Sequence, residues 1–242
     1  IRQLALRIVG DIALDQCHRR LGQHRDRGHD DVELILAQFL QGQIGLVFPG
    51  QQHVADAALR EGRGPGGGVY FPAFPYEHYS GMTDQDIADL WAYLQTVEPV
   101  AQPSRPHELD APFGWRFLLP MWRMLYFAPG GPTIPQNQPE VWRRGAYLVE
   151  VMGHCGACHT PRTALGALDH AQAFGGGPMP VGTGRVPNIT PSAAGIRGWS
   201  VPDITSALSF GMLPDGDFLG GDMGEVVQNS TGRLTPADRE AI

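Results

Sequence analysis

The sequence contains no lysine: all 18 basic residues are arginines, and against 25 acids they leave a formal net charge of -7. That balance excludes a nucleic-acid-binding surface as the chain's organising feature, because phosphate recognition needs a positive stripe. Three cysteines in 242 residues are too few for a disulfide framework. No long uncharged apolar run is present. The most apolar stretch, Phe113 to Phe127, is broken by Arg116, Pro120 and Arg123 and cannot span a bilayer. No arrangement of serine or cysteine with histidine and acid suggests a nucleophile and its base. Nothing resembles a signal peptide, and with Ile1 in first place the start reads as cut.

What is abundant is glycine, 32 residues, and proline, 21. These leave room for short helices joined by long ordered loops, while nine per cent aromatics argue against disorder. The length suits two domains of ordinary size.

One stretch carries specific chemistry: Cys155-Gly156-Ala157-Cys158-His159. Two thiols three apart followed by an imidazole form the attachment pattern of a c-type haem, each sulfur joining a vinyl group and the histidine binding iron. On a helical turn both cysteines face one side. Zinc is the nearest rival, with His154, Cys155, Cys158 and His159 as donors. Four ligands so close in sequence can hardly surround one ion, and no second pair exists elsewhere. A thiol-disulfide exchange site would need a strand before the motif, and the flanks lack strand alternation. With two thiols assigned to haem, Cys17 stands alone.

Along the chain, residues 1–54 read differently from the rest. They hold one proline, four of nine histidines and balanced charge. Val32 to Leu40 suits a short helix, and the His18, His24, His29 series reads as solvated surface rather than a metal site. The abrupt change near Val54 fits an upstream shift of reading frame, or a segment that is disordered or folded in an unrelated way. From Asp56 the pattern predicts a helix closed by Gly62, then a loop, then a helix from Asp84 to about Thr96 capped by Thr83, with Ile87, Leu90, Trp91 and Leu94 on one face. Pro99 and Pro103 end it. Residues 101–139 read as a connector. A helix over Val141 to Val149 leads into the Cys155 motif, another spans Asp203 to Phe210, and a short one follows Thr235. Ala207-Leu208-Ser209-Phe210-Gly211 echoes Ala58-Leu59-Arg60-Glu61-Gly62, and Thr235 echoes Thr83, so an internal repeat is expected.

On these motifs, together with Phe71-Pro72-Ala73-Phe74-Pro75-Tyr76, Arg144-Gly145-Ala146-Tyr147-Leu148-Val149-Glu150, Gly153 to Arg162, Pro187-Asn188-Ile189-Thr190-Pro191 and Met223-Gly224-Glu225-Val226-Val227, the chain from Val54 to Ile242 resembles the dihaem c-type cytochromes that serve as electron-transfer subunits of bacterial alcohol, aldehyde and gluconate dehydrogenases. The resemblance implies a mainly α fold of tandem class I cytochrome c-like domains, the first degenerate or incomplete. Its domain layout is an unmatched segment over 1–54, a remnant of the first domain over 55–100, a connector over 101–139 and a haem domain over 140–242 that is truncated at its C-terminus.

The resemblance further implies haem c as cofactor, one copy here and a second in full-length relatives. Cys155 and Cys158 would be its anchors, with His159 and Met223 as iron ligands. Met212 and Met179 are the alternative sulfurs. Tyr147, Trp199 and Arg162 are candidates to meet propionates or shield the ring edge, with core packing equally open for the first two. The first haem motif is missing: Leu14 stands where a partner thiol for Cys17 would be. Phe74 stands where many relatives have methionine, and Met82 is either a vestigial ligand or a core residue.

The function implied is electron relay from a periplasmic dehydrogenase subunit to an oxidase, a quinone or another cytochrome, in the periplasm or on the periplasmic face of the inner membrane, without nucleic acid. Membrane association would come through missing parts or partners. Two other classes stay open on the residues alone, a haem enzyme or gas sensor with an open sixth position and a zinc-binding structural module.

Overall fold

The computed structural model describes residues 52–98, 108–109, 111–179 and 183–242, which divide into two compact units, 52–133 and 134–242. The expectations for Cys17, for the histidine series, for the Val32 to Leu40 helix and for the prolines at 99 and 103 lie outside these residues. Among the described residues regular structure is nearly all helical, and the strands are one two-residue antiparallel pair.

The first unit begins with α1, Gln52–Glu61, which buries Ala55, Ala58 and Leu59 at helical spacing. It stops at Gly62, where φ is +61° and an added Cβ would lie 2.4 Å from the Tyr76 ring, so both conformation and space demand glycine. Arg63 to Val69 then form a small hairpin closed by an antiparallel bridge. After it, α2 (Tyr76–Tyr79) buries both tyrosine rings. Phe74 meets Tyr70 and Tyr79 edge-on, each at 5.7 Å between centroids.

Helix α3, Asp84–Leu94, is capped as expected: the Thr83 hydroxyl accepts from the Asp86 amide at 3.1 Å. It ends two residues before the expected Thr96, because both the amide and the hydroxyl of Thr96 turn back onto the Tyr93 carbonyl, at 2.7 and 2.8 Å. The aromatic run holds a further helix, α4, Leu119–Tyr126. It is tied to the first unit by Phe127 against Tyr76 at 5.2 Å, by Arg116 donating to the Val69 carbonyl and by Arg123 donating to the Glu61 carbonyl.

In the second unit α5, Glu140–Tyr147, runs on into one wide π-helical turn, Leu148–Met152. The Cys155 motif follows as α6, Gly156–His159. Strands β1 (Gly177–Pro178) and β2 (Arg185–Val186) pair in the loop region. Helix α7, Val201–Phe210, starts two residues before the expected Asp203, because Ser200 and Asp203 form a reciprocal capping box and Pro202 suits the first turn. It ends on Gly211, φ +75°. Two short helices close the described fold, α8 (Gly221–Asn229) and α9 (Pro236–Ala241), the latter capped by Thr235 accepting from the Asp238 amide at 3.1 Å. α9 packs on α5, where a Cβ at Gly145 would stand 1.8 Å from the Ala241 carbonyl oxygen.

The echo between the two segments is structural as well as textual. Gly62 and Gly211 each donate to the alanine four back, at 3.0 Å. Each is followed by a seven-residue hairpin, Arg63 to Val69 and Met212 to Phe218, with matching internal bonds: Gly64 to Gly68 and Gly67 to Gly64, Leu213 to Asp217 and Gly216 to Leu213. The exits match too, Tyr70 donating to the Gly62 carbonyl and Leu219 to that of Gly211. In this register Phe74 occupies the position of Met223.

The interiors differ. The buried apolar residues of the first unit include Tyr70, Phe71, Phe74, Tyr76, Tyr79 and Trp91. Those of the second are Leu148, Val151, Met152, Ala167, Leu168, Ala207, Val227 and Leu234, without one aromatic ring.

Candidate functional site

The helical turn α6 carries the motif. His154, just before it, is buried and held at φ +34°, a conformation that turns the chain sharply out of the preceding Gly153. From Cys155 the chain is helical: the His159 amide donates to the Cys155 carbonyl at 2.9 Å, and that of Thr160 to Gly156 at 3.1 Å. Neither Cys155 nor Cys158 is in a disulfide, and both are half-buried. Burial pushes the Cys155 thiol up to about 12, and the neighbouring Cys158 adds to the rise.

His159 is held from one side. Its Nδ1 lies 2.9 Å from the Pro187 carbonyl oxygen, an atom that can only accept, so Nδ1 carries the proton and Nε2 keeps its lone pair. Burial lowers the pKa of the ring, opposed by that same hydrogen bond. A neutral imidazole with one nitrogen fixed and the other available is what a metal ligand requires.

The loop that brings Pro187 there is built by its neighbour. The Asn188 Oδ1 accepts from the Thr190 amide at 2.8 Å and from its hydroxyl at 2.7 Å, and Nδ2 donates to the Ser192 hydroxyl at 3.3 Å. Two further bonds lock the loop to the motif: the Gly176 amide donates to the His159 carbonyl at 2.7 Å, and Ile189 to Phe174 at 3.0 Å. The Phe174 amide in turn donates to the Thr160 hydroxyl at 3.1 Å. The positioning role of Pro187 and Asn188 is not read from the sequence, although the Pro-Asn-Ile-Thr-Pro text signals an Asx turn.

Other candidates fall in different places. Arg162 donates to the carbonyls of Ala157 and Gly166, at 2.9 and 3.1 Å, so its guanidinium braces α6 against the Arg162 to Leu168 hairpin. Tyr147 ends α5 and Trp199 lies before α7, both half-buried. Met223 is half-buried in the first turn of α8, a helix for which the sequence pattern gives no signal. Met212 is exposed in its hairpin, and Met179 follows β1. Met82 is fully buried in the first unit. Among the described residues no three His, Cys, Asp or Glu side chains converge on a point, so His154, Cys155, Cys158 and His159 are not gathered for zinc.

The donor set fits a covalently held haem: two thiols on one turn, an imidazole with Nε2 free, and a second unit whose interior is built of few and small apolar side chains. Val201, Phe210, Met212 and Phe218 meanwhile remain largely exposed. A porphyrin is an apolar plate that such an interior calls for.

Comparison with known proteins agrees. Over 187 residues the chain is 45% identical to a protein of Cereibacter sphaeroides named diheme cytochrome c-type, an alignment covering 77% of this chain and 62% of that one. It is 37% identical over 188 residues to the fructose dehydrogenase cytochrome subunit of Gluconobacter japonicus, covering 76% and 38%. It is 33% identical over 201 residues to the gluconate 2-dehydrogenase cytochrome c subunit of Pantoea cypripedii, covering 76% and 44%. The chain thus spans less than two thirds of the length of these curated relatives. No family model matches it. The resemblance to dihaem c-type cytochromes and to the cytochrome subunits of dehydrogenases therefore holds along about three quarters of the sequence. Among the described residues no helix is long and apolar enough to cross a membrane.

Proposed function

We propose that the chain is an electron-transfer protein that carries one covalently bound haem c in residues 140–242. The observation that carries this reading is the tautomer of His159: with Nδ1 spent on the Pro187 carbonyl, Nε2 is left as a ligand beside two thiols on the same turn. When bound, the haem supplies one-electron chemistry at iron. Cys155 and Cys158 would anchor it through thioethers, and His159 and Met223 would be the iron ligands. Ligation by a thioether together with an imidazole would favour the reduced metal and raise the potential. The chain has no substrate chemistry of its own in this reading.

The helix-and-hairpin likeness around Gly62 and Gly211 supports the rest of this reading. Residues 55–100 descend from a first cytochrome c-like domain and 140–242 form the second, with 101–139 joining them. In the first, Phe74 stands at the place of Met223, and its ring packs between tyrosines. That unit fills its interior with aromatic side chains and binds no haem through its described residues.

The relatives' names support a dehydrogenase catalytic subunit as electron donor. The acceptor would be an oxidase, a quinone or another cytochrome, with the periplasm or the periplasmic face of the inner membrane as location. The test is chemical. Chain matured with bacterial haem-attachment machinery should keep its haem through denaturing electrophoresis, at a pyridine haemochrome ratio near one per chain. Cys158→Ala should leave at most one thioether. Release of all haem from the unmutated chain refutes the assignment, and a ratio near two refutes the haem-free first unit.

A further inference from the structure

The first unit holds a cleft of about 480 Å³ that the haem reading does not use. It is lined by Arg63, Arg116 and Arg123, by Phe117 and Pro120, and by the backbone of Gly67-Gly68. Three guanidinium groups around one cleft repel each other, so each must be fixed by something. Two are fixed by neutral groups. Arg116 donates to the Val69 carbonyl at 3.0 Å and stacks over Phe71 at 4.9 Å; Arg123 donates through Nε to the Glu61 carbonyl at 3.1 Å and stacks over Phe127 at 4.4 Å. Among the described residues a single carboxylate, half-exposed Glu61 at 3.3 Å from Arg63, pairs with any of the three.

The cleft is therefore positive, and its forks are pre-oriented with N–H groups to spare, since each guanidinium carries five. The surrounding sequence adds no compensating charge: from Ala111 to Thr133 there are two arginines and no acid, in a chain of net charge -7. One rim is apolar. Phe117, beside Pro120 on that rim, is 73% exposed.

We propose that this cleft binds a phosphate ester. A phosphate group spreads its acceptor oxygens tetrahedrally, where a carboxylate holds two in one plane, so it can meet forks that approach from three sides. The volume exceeds that of inorganic phosphate and leaves room for the ester's organic arm. The exposed apolar rim admits two sources of that chemistry, a soluble phosphate monoester or the headgroup of an anionic lipid.

The full chain is titrated with glycerol phosphate by calorimetry and sedimented with phosphatidylglycerol or phosphatidylcholine vesicles at low salt. The expected result is saturable binding of at least one anionic probe, weakened by salt and by about tenfold in Arg63→Gln, the loss of one charge-assisted contact. Among the described residues the Arg63 side chain pairs only with Glu61, and its backbone bond to Ala57 and bridge to Val69 do not depend on the guanidinium, so this variant should fold with an unchanged melting temperature. Arg116→Lys keeps the charge and loses the fork, and should also weaken binding. Binding of glycerol phosphate identifies a soluble source, and binding of phosphatidylglycerol vesicles alone identifies lipid. The proposal is overturned if neither anionic probe binds, if both variants bind as the parent does, or if phosphatidylcholine binds equally well.

Discussion

Arg144 and Asp238, 94 positions apart, are joined by two parallel hydrogen bonds, Nε to Oδ1 at 2.7 Å and Nη2 to Oδ2 at 3.2 Å. The pair locks α5 to α9 beside the point where Gly145 admits the Ala241 carbonyl. Asp238 also receives its own helix cap from Thr235. Asp238 thus serves the helix terminus through its amide and the long-range contact through its carboxylate.

This arrangement makes the second unit acid-sensitive. The Arg144 hydrogen bond, ahead of its charge, holds the Asp238 carboxyl below the usual range of about 3.9. A depressed carboxylate stabilises the fold fully above its unfolded pKa and loses that contribution as pH falls through the folded one. Denaturant melts of the chain should therefore weaken below about pH 4. Asp238→Asn should cost about 1.5–3 kcal/mol at pH 7 and flatten the acid limb. An acid limb of the same slope in the variant would show that other groups set it.

Close approach at the same crossing gives a second outcome. Gly145→Ala places a methyl carbon where the backbone of the last helix stands, and should destabilise by at least about 1–3 kcal/mol. Gly198→Ala meets nothing within 4 Å and should stay within about 0.5 kcal/mol of the parent. Equal melting temperatures for the two variants would contradict the α5–α9 contact.

Asn188 should act on the iron site without touching it. Asn188→Ala removes the turn that presents Pro187, loosening the carbonyl that holds Nδ1 of His159. A weaker bond to Nδ1 makes the imidazole a poorer donor, so the reduction potential should rise. Asn188→Asp keeps the acceptor for Thr190 and should restore most of the parent value. An unaltered potential in the alanine variant would mean that the loop is held without Asn188.

Met223→Ala should abolish the long-wavelength band of sulfur ligation in the oxidised protein and lower the potential. Because the side chain is half-buried, the apo fold should lose little. A spectrum identical to the parent's would transfer the sixth position to Met212 or Met179.

Much of this protein was legible from local patterns. The Thr83 cap, the Gly62 and Gly211 stops, the Thr235 start and the five residues from Cys155 each depend on neighbours within about a turn, and the text of a chain records such relations directly. Boundaries were less legible. α3 stops early because Thr96 turns its own hydroxyl onto a carbonyl, and α8, which carries Met223, has no capping side chain and two glycines in its first turn, Gly221 and Gly224, so nothing local announces it.

By itself, then, the sequence determined the attachment motif, the helical character and the resemblance to dihaem cytochromes. Only the tertiary structure decided which nitrogen of His159 is left open, since Pro187 lies 28 residues on. It also decided that Arg144 finds Asp238, and that Arg116 and Arg123 reach carbonyls 47 and 62 residues away to line one cleft with Arg63. A carbonyl oxygen has no letter in the sequence, and a guanidinium that bonds to one leaves no pattern of spacing or charge. Such contacts exist only once folding has brought distant backbone within 3 Å, the range in which a hydrogen bond acts.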